Sequence, residues 1–205
     1  MAWTTAVGLC SLKIGMNPII FIAGVHGAGK TTVARLLAEL LSASHVTAGG
    51  LIRETANPGD TVTVGTGNKA VPDVDGNQLL LLRGLDLHRA RIGSTTILLD
   101  GHFALLDPSG AVIEVPFAIF EAIRPIAVVL VEVGDDVVHK RLVTRDGAAP
   151  SATTISLLAE SERSAAVAVS ARLGIPIWTV RGDAESGVTA HTIVEHLRRI
   201  LAGAA

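Results

Sequence analysis

A glycine-rich segment between an apolar run and an amphipathic stretch places the strongest constraint on this sequence. Gly24, Gly29, Lys30 and Thr31 follow the spacing Gly-x-x-x-x-Gly-Lys-Thr, directly after the strand-like residues 18–23. Small residues let the backbone curl until successive N–H groups point at phosphate oxygens, and the helix that begins at the lysine contributes the positive end of its dipole. The segment therefore predicts a loop that binds the phosphates of a purine nucleoside triphosphate with Mg²⁺.

Two side chains of this loop have specific expected roles. Lys30 is expected to bridge the β- and γ-phosphates, and the Thr31 hydroxyl to ligate Mg²⁺. The sequence thus predicts ATP and Mg²⁺ as cofactors. The residues expected to contact the nucleotide are Gly24, His26, Gly27, Ala28, Gly29, Lys30, Thr31 and Thr32. A glycine turn before a helix, with no ligand, is the alternative interpretation.

Short β-branched runs alternate with amphipathic stretches along the chain, which is typical of a parallel sheet covered by helices on both faces. The predicted fold class is α/β, with a central parallel sheet in the three-layer α/β/α arrangement of P-loop NTPases. The predicted strands are residues 18–23, 95–99, 126–133 and 175–180. The predicted helices are residues 30–42, 78–91, 135–145, 153–173 and 188–201, and Gly174 is expected to cap the fourth.

Length and local composition predict one folded domain with two irregular segments. A chain of 205 residues suits a single core, and we predict a disordered N-terminal extension over 1–16 followed by one P-loop domain over 17–205. Residues 57–76, rich in Gly, Pro, Asn and Asp, indicate a long surface loop and a candidate substrate flap. Asp107 and Gly110 occupy the first and fourth positions of a type I turn pattern between alternating apolar residues, which predicts a short hairpin.

Composition excludes several classes of function. Hydrophobic residues make up 49% of the sequence, but no uncharged apolar run approaches the roughly 18–20 residues that a membrane-spanning helix requires. A net charge of −2 and an aromatic content of 3% supply neither a positive field for nucleic acid nor a stacking platform for single strands. The single cysteine, Cys10, excludes an internal disulfide and fits a reducing compartment. We therefore expect a cytoplasmic protein that binds neither membranes nor nucleic acid.

Several motifs, in the right order, resemble those of adenylate kinase and other nucleoside monophosphate kinases. The loop at 24–32 carries only small residues around its lysine, as the loop of those kinases does. Residues 45–53 resemble the segment that starts a helix under the acceptor nucleotide, which implies that Arg53 binds the acceptor phosphate. Residues 97–103 resemble the Leu-Asp-Gly-Phe-Pro-Arg strand, which implies that Asp100 faces the loop and holds a Mg²⁺-bound water. A solvated arginine and an aspartate that caps a turn are the alternatives.

Residues 128–133, together with the helical residues 135–146 that follow, resemble the strand and helix of these kinases that lead into a short lid, whose arginines close over the phosphate in transfer. Arg141 and Arg145 are spaced i,i+4, so both fall on one helix face. Fixed cations are what a loosely bonded phosphoryl transition state requires. A salt-bridged exposed helix is the alternative for Arg141. Arg163 could approach from the far side of such a lid, although Glu160 and Glu162 beside it make an ordinary charged face equally natural.

Two departures from the adenylate kinase pattern concern the acceptor. Gly50 stands where the Thr-Gly-Asp element has its aspartate, and residues 102–106 lack the arginine that follows the Asp-Gly-Phe-Pro stretch. AMP is therefore not the expected acceptor. The Asp-Gly-His-Phe stretch and the hairpin more closely resemble a little-characterised bacterial group of adenylate-kinase-like ATP-binding proteins. His102, two residues after Asp100, could face the acceptor as a base or hydrogen-bond donor, or could be a structural histidine at a strand edge.

The sequence favours a kinase that moves the γ-phosphate of ATP to a small acceptor, either a nucleotide or a nucleoside. In this hypothesis the catalytic residues are Lys30, Asp100, Arg141 and Arg145, the acceptor-binding residues are Arg53 and His102, and the metal ligands are Thr31 and Asp100. An ATPase or nucleotide-dependent switch that acts on a protein partner is the alternative. The oligomeric state stays open.

Overall fold

The computed structural model describes residues 17–56, 74–93, 95–183 and 186–204. The predicted N-terminal extension, and residues 57–73 of the predicted flap, lie outside the described residues. None of the described helices combines the length and the hydropathy that a membrane-spanning helix needs.

The described residues contain seven strands, five of which form one parallel sheet. They are β1 (Ile19–Ala23), β2 (Ser44–Thr47), β3 (Ile97–Asp100), β4 (Ala104–Leu106), β5 (Val112–Glu114), β6 (Pro125–Glu132) and β7 (Ile177–Arg181). The sheet has the order β2-β3-β1-β6-β7, and every residue of the central strand β1 is buried. The predicted α/β class with a central parallel sheet is confirmed. Each predicted strand of the sheet begins and ends within two residues of an observed one.

Seven helices in the described residues pack on this sheet. They are α1 (Lys30–Leu41), α2 (Ala48–Thr55), α3 (Val74–Ile92), α4 (Phe117–Ile123), α5 (Asp135–Asp146), α6 (Ala152–Leu173) and α7 (Ser186–Ala204). Gly174 caps α6 as predicted, since its N–H bonds to carbonyl oxygens of the last turn. The sequence did not predict α4 or the edge strand β2, because seven and four residues are too few to establish a periodic pattern.

Alternate residues of the central strands pack into two separate cores, one on each face of the sheet. Ile20 and Ile22 lie in the core that α1, α5 and α7 complete, whereas Phe21 lies in the core formed with α2, α3 and α4. The long helix α6 contributes to both, through Ile155 near its start and Val169 near its end. The faces of the sheet are thus covered, and the carboxyl ends of the parallel strands are the place where a ligand can bind.

The predicted hairpin forms directly after β3. Strands β4 and β5 pair antiparallel, with Ala104 opposite Glu114. The carboxylate of Asp107 accepts hydrogen bonds from the N–H groups of Ser109 at 2.8 Å and Ala111 at 2.9 Å, which closes the turn. The hairpin prediction is confirmed, and the hairpin brings chain back towards the open end of the sheet.

The turn after β7 lies directly against the glycine-rich loop. Gly29 has a φ of +100°, and a Cβ built there would overlap the carbonyl oxygen of Gly182. A Cβ at Gly182 would in turn overlap the carbonyl oxygen of Ala28. The N–H of Gly182 donates to the backbone carbonyl oxygen of Glu132 in β6 at 2.9 Å, and this bond holds the turn against the loop. The loop therefore takes its shape against a backbone surface that tolerates no side chain.

We predict that Gly182→Ala destabilises the protein, because the added methyl group forces the loop and the turn apart. Overpacking of this kind costs about 1–3 kcal/mol, and each kcal/mol lowers the melting temperature by roughly 2–4 °C in a chain of this size. The matched control is Gly203→Ala in α7, where an added Cβ meets nothing within 4 Å. Thermal unfolding followed by circular dichroism measures both. Equal melting temperatures for the two variants would contradict the close approach.

Candidate functional site

A cavity of about 1170 Å³ opens at the carboxyl ends of the parallel strands. Part of its wall comes from the glycine-rich loop, the end of β3 and α5, and the rest comes from α2, α3, α4 and the hairpin. The loop side is formed by His26, Gly27, Gly29, Lys30, Thr31, Thr32, Asp100, Lys140, Arg141, Arg145 and Gly182. The facing side includes Phe21, Ile52, Arg53, Gln78, Leu81, Leu105, Val115, Ile119, Phe120 and Ile123. The cavity therefore has one side that is mainly polar and charged and a facing side that is mainly apolar.

The glycine-rich loop has the form expected of a phosphate cradle. The N–H of Ala28 donates to the carbonyl of Val25 at 3.1 Å, which turns the loop, and α1 begins immediately after Gly29. Most of the predicted nucleotide contacts line the cavity, whereas Gly24 and Ala28 lie behind them, inside the protein. The first turn of α1 contains no acidic side chain, so its N-terminus retains its positive character toward the cavity.

Lys30 lies at the base of the cavity with 7% of its surface exposed. Its Nζ donates to the carbonyl oxygen of Gly24 at 2.8 Å and lies 3.9 Å from Asp100 Oδ1. Burial lowers the pKa of Lys30, and the negative charges of Asp100 and Glu162 act in the opposite direction. The ammonium group is thus held against its own loop, at the position where phosphate oxygens would replace the carbonyl.

Thr31 and Asp100 together form a donor set suited to Mg²⁺. Asp100 is the last residue of β3, is 7% exposed, and accepts a hydrogen bond from Thr31 Oγ1 at 3.4 Å. Hydroxyl and carboxylate oxygens are the ligands that Mg²⁺ prefers, usually one or two of them with phosphates and waters completing the shell. No group of three or more His, Cys, Asp or Glu side chains that could hold a metal ion occurs in the described residues. The donor set fits an ion that arrives with a nucleotide.

His45 is a neighbour of Asp100 that the sequence did not indicate as a site residue. Its Nε2 lies 3.9 Å from Asp100 Oδ2 and is buried, and it has no hydrogen-bond partner within the described parts of the chain. The residue belongs to β2, which pairs with β3 in parallel. His45 lies beside Asp100 because β2 pairs with β3, and the sequence could not indicate this contact because β2 was not predicted.

The two predicted lid arginines line the cavity, and both also make internal contacts. Arg141 donates from Nη1 to the carbonyl oxygen of Gly27 at 2.9 Å, so it supports the loop. Arg145 forms a bidentate pair with Asp146, at 2.8 Å and 2.7 Å, which raises its pKa. Arg163 is absent from the cavity wall and pairs with Glu132 at 2.8 Å, with its side chain 63% exposed. The charged-face interpretation therefore fits Arg163.

Two histidine rings contact each other on the loop side, with their planes tilted by 48°. The ring centroids of His26 and His102 are 4.2 Å apart, and His102 Nε2 lies 3.4 Å from Lys30 Nζ. Burial, followed by the positive charge of Lys30, lowers the pKa of His26 to about 3 and holds the pKa of His102 well below its usual value. Both rings are consequently neutral near pH 7. A neutral imidazole can accept a proton, and it adds no charge to the site.

Glu162 does not lie on the charged face that was one of the two interpretations for Arg163. It is 1% exposed and accepts hydrogen bonds from three backbone N–H groups. A signal was present in the sequence, because Glu162 continues the buried stripe of the helix. The buried residues of the helix are Ile155, Leu158, Glu162, Ala165, Ala166, Val169 and Ser170. A carboxylate at helical spacing within an apolar stripe indicates a buried partner.

Two solved structures with the same fold are kinases of small molecules. A gluconokinase from Sinorhizobium meliloti 1021 is 16% identical and has a TM-score of 0.53, with 90% of this chain and 95% of that chain covered. A shikimate kinase from Acinetobacter baumannii, in complex with shikimate, is 18% identical with a TM-score of 0.53, over 89% and 94% of the two chains. At these identities the similarity establishes the fold.

Sequence comparison adds a local match and a family. A 42-residue stretch is 50% identical to shikimate kinase 2 of Photorhabdus laumondii subsp. laumondii, and it spans 20% of this chain and 24% of that enzyme. The P-loop kinase part of the expected resemblance is confirmed, while adenylate kinase specifically is not singled out. Residues 23–156, more than half of the chain, match a family model described as an AAA domain. The chain therefore belongs to this AAA domain family and has the fold of the P-loop kinases.

Proposed function

We propose that this chain transfers the γ-phosphate of ATP, with Mg²⁺, to a nucleotide or nucleoside. The observation that carries the proposal is the single cavity that joins the phosphate loop to an apolar wall with an arginine at its edge. In the reaction an acceptor oxygen forms a bond to the γ-phosphorus while the bond to the β,γ-bridging oxygen breaks. ADP leaves, and a hydroxyl acceptor also gives up its proton.

The loop side of the cavity supports the donor half of this reaction. Backbone N–H groups of the loop and the Lys30 ammonium would bind the β- and γ-phosphates, and Thr31 and Asp100 would hold Mg²⁺. When bound, Mg²⁺ supplies positive charge to the phosphate oxygens. Arg141 and Arg145 lie on the same wall and can stabilise charge that moves onto the transferring group.

His102 is placed to hydrogen-bond with a hydroxyl acceptor. It lines the cavity and lies beside the ammonium of Lys30. A general base works best when its pKa lies near the working pH, so the lowered pKa of His102 makes it a weak base and favours a hydrogen-bonding role. Where the acceptor is a phosphate, no proton needs to move, and His102 serves as a hydrogen-bonding group.

The facing side of the cavity supports an acceptor with a flat, largely apolar part. Phe21, Phe120 and Leu81 contribute aromatic and aliphatic surface, which suits a nucleobase better than a polyhydroxylated molecule. Gln78 Nε2 is buried and finds no hydrogen-bond partner in the described residues, so it can bond to an acceptor. Arg53, exposed at the edge of the cavity, is available for a phosphate group.

The defining experiment incubates the protein and a Lys30→Ala variant with labelled ATP, Mg²⁺ and a panel of acceptors. The panel contains nucleosides, nucleoside mono- and diphosphates, shikimate and gluconate. We expect transfer to a nucleoside or nucleotide, reduced by roughly 10²–10³ in the variant, because removal of one donor at a transition-state charge costs about that factor. Transfer to shikimate or gluconate would overturn the acceptor class. Lys30-dependent release of inorganic phosphate, indifferent to every acceptor, would instead establish an ATPase.

Arg53→Ala separates a nucleotide acceptor from a nucleoside. Hydrogen bonds to charged groups contribute roughly 1.5–3 kcal/mol, so we expect the KM of a phosphorylated acceptor to rise about tenfold or more, while the KM of ATP stays constant. The matched control is Arg35→Ala, an exposed arginine of α1 outside the cavity wall. Steady-state kinetics measures both variants. An unchanged acceptor KM in Arg53→Ala would remove this residue from the acceptor site.

The burial of His26 predicts how stability depends on pH. Its pKa is about 3 in the folded chain, against an ordinary value of 6.5, so the unfolded chain binds a proton first as the pH falls. The stability that the neutral ring contributes is present above pH 6.5 and is lost as the pH falls towards 3. We expect the melting temperature of His26→Gln to fall less than that of the wild type between about pH 7 and about pH 4.5. His139→Gln, an exposed position on α5, should follow the wild type, and parallel curves for all three proteins would contradict the prediction.

A further inference from the structure

We propose that Glu162 is a positioning residue that joins the glycine-rich loop to residues 103 and 104, which follow β3. The link would hold the two sides of the cavity in one fixed arrangement. The catalytic consequence rests on the function proposed above. The physical link itself requires only that the loop binds a nucleotide.

Three short hydrogen bonds make the link. Glu162 Oε1 accepts from the N–H of Gly24 at 2.7 Å, and Oε2 accepts from the N–H groups of Phe103 at 2.8 Å and Ala104 at 2.7 Å. Gly24 opens the phosphate loop after β1, whereas Phe103 and Ala104 follow the neighbouring strand β3. One carboxylate on α6 thus binds the chain just after both β1 and β3. Hydrogen bonds to a charged carboxylate are stronger than hydrogen bonds between neutral groups.

The groups held by this link adjoin the reacting centre. The carbonyl of Gly24 accepts the hydrogen bond from Lys30 Nζ, so a shift of Gly24 moves the lysine. His102 directly precedes the anchored Phe103. The Phe103 ring lies 5.0 Å from that of Phe21 and stacks on that of Phe120 at 4.5 Å, and both of these rings line the acceptor wall. Glu162 is therefore connected, through Gly24 and Phe103, to groups proposed to contact ATP and the acceptor, and it is not itself part of the cavity wall.

The geometry suits the ionised form of Glu162. Both carboxylate oxygens face N–H donors, so a proton on Oε1 would point at the N–H of Gly24. Burial raises the pKa of Glu162 to about 7, while the charge of Lys30 and the three N–H groups act in the opposite direction. Lys30 is the charged group that acts on Glu162, which explains how a carboxylate can lie inside an otherwise apolar helix face.

Three variants isolate the role of this carboxylate. Glu162→Gln keeps the shape but replaces one oxygen with an NH₂ group that faces an N–H donor, so at least one bond of the link is lost. Glu162→Asp restores the charge on a chain too short to reach both strand exits. Glu160→Gln is the matched control, because it makes the same change at an exposed position of the same helix.

Hydrogen exchange measured by mass spectrometry, together with the Kd of Mg·ATP, tests the proposal without an acceptor. In Glu162→Gln we expect exchange to accelerate in residues 24–30 and 101–106 together, and the Kd to rise about tenfold or more. Glu162→Asp should lie between Glu162→Gln and the wild type, and Glu160→Gln should match the wild type. If Glu162→Gln does not fold, Glu162→Asp is judged by the same two readouts.

Acceleration in only one of the two segments, or a Kd equal to that of Glu160→Gln in folded protein, would overturn the link. Once an acceptor is known, kcat is expected to fall more than either KM rises, because the link orients groups that act in the transition state. Since exchange and ATP affinity do not depend on transfer, an ATPase without an acceptor would refute the proposed function and leave this inference intact.

Discussion

The parallel pairing of β1 with β3 is the constraint on which the rest of the site depends. Its register places Ile22 beside Asp100, so the glycine-rich loop and the carboxylate of Asp100 lie side by side at the same edge of the sheet. The hydrogen bond between Thr31 and Asp100 follows from this adjacency. A shift of the register would move Asp100 along the sheet and separate it from Thr31, the other residue of the proposed Mg²⁺ site.

The charged side chains at the base of the cavity are buried. Lys30, Asp100 and Glu162 are each less than 10% exposed, and the neighbouring rings of His26 and His102 are neutral. Electrostatic interactions are stronger in such a setting than in water, and each unpaired charge is correspondingly costly. Lys30 is stabilised by carbonyl oxygens and carboxylates in this structure. A triphosphate could replace the carbonyls as its partner without leaving the ammonium unpaired.

The fold and the family do not by themselves identify the acceptor. Kinases of gluconate and shikimate share this architecture at identities below 20%, and one fold can carry many acceptor sites. In the function proposed above, the acceptor would be selected by the apolar wall around Phe21 and Phe120, which also includes Gln78 and Arg53. Specificity would then depend on shape and on a few directed hydrogen bonds.

Local sequence patterns were sufficient to predict the glycine-rich loop. Its glycines, Lys30 and Thr31 are close together in the chain and follow a strand that is buried on both faces. The same holds for the hairpin, whose turn depends on the single side chain of Asp107. Asp100 was identified through the resemblance of residues 97–103 to the adenylate kinase strand that ends in an aspartate. These features depend on contacts that are close in sequence, or on the common edge that parallel strands share.

Only the tertiary structure shows which residues from distant parts of the sequence contact each other. The sequence did not indicate that Glu162 is buried, because its partners Gly24 and Phe103 are 138 and 59 residues away. The approach of Gly182 to Ala28, the position of His45 beside Asp100, and the exclusion of Arg163 from the cavity have the same origin. The sequence by itself determined which groups could bind a nucleotide. Packing determined which of them meet, because burial and hydrogen bonding across the sheet depend on how its strands are ordered in space.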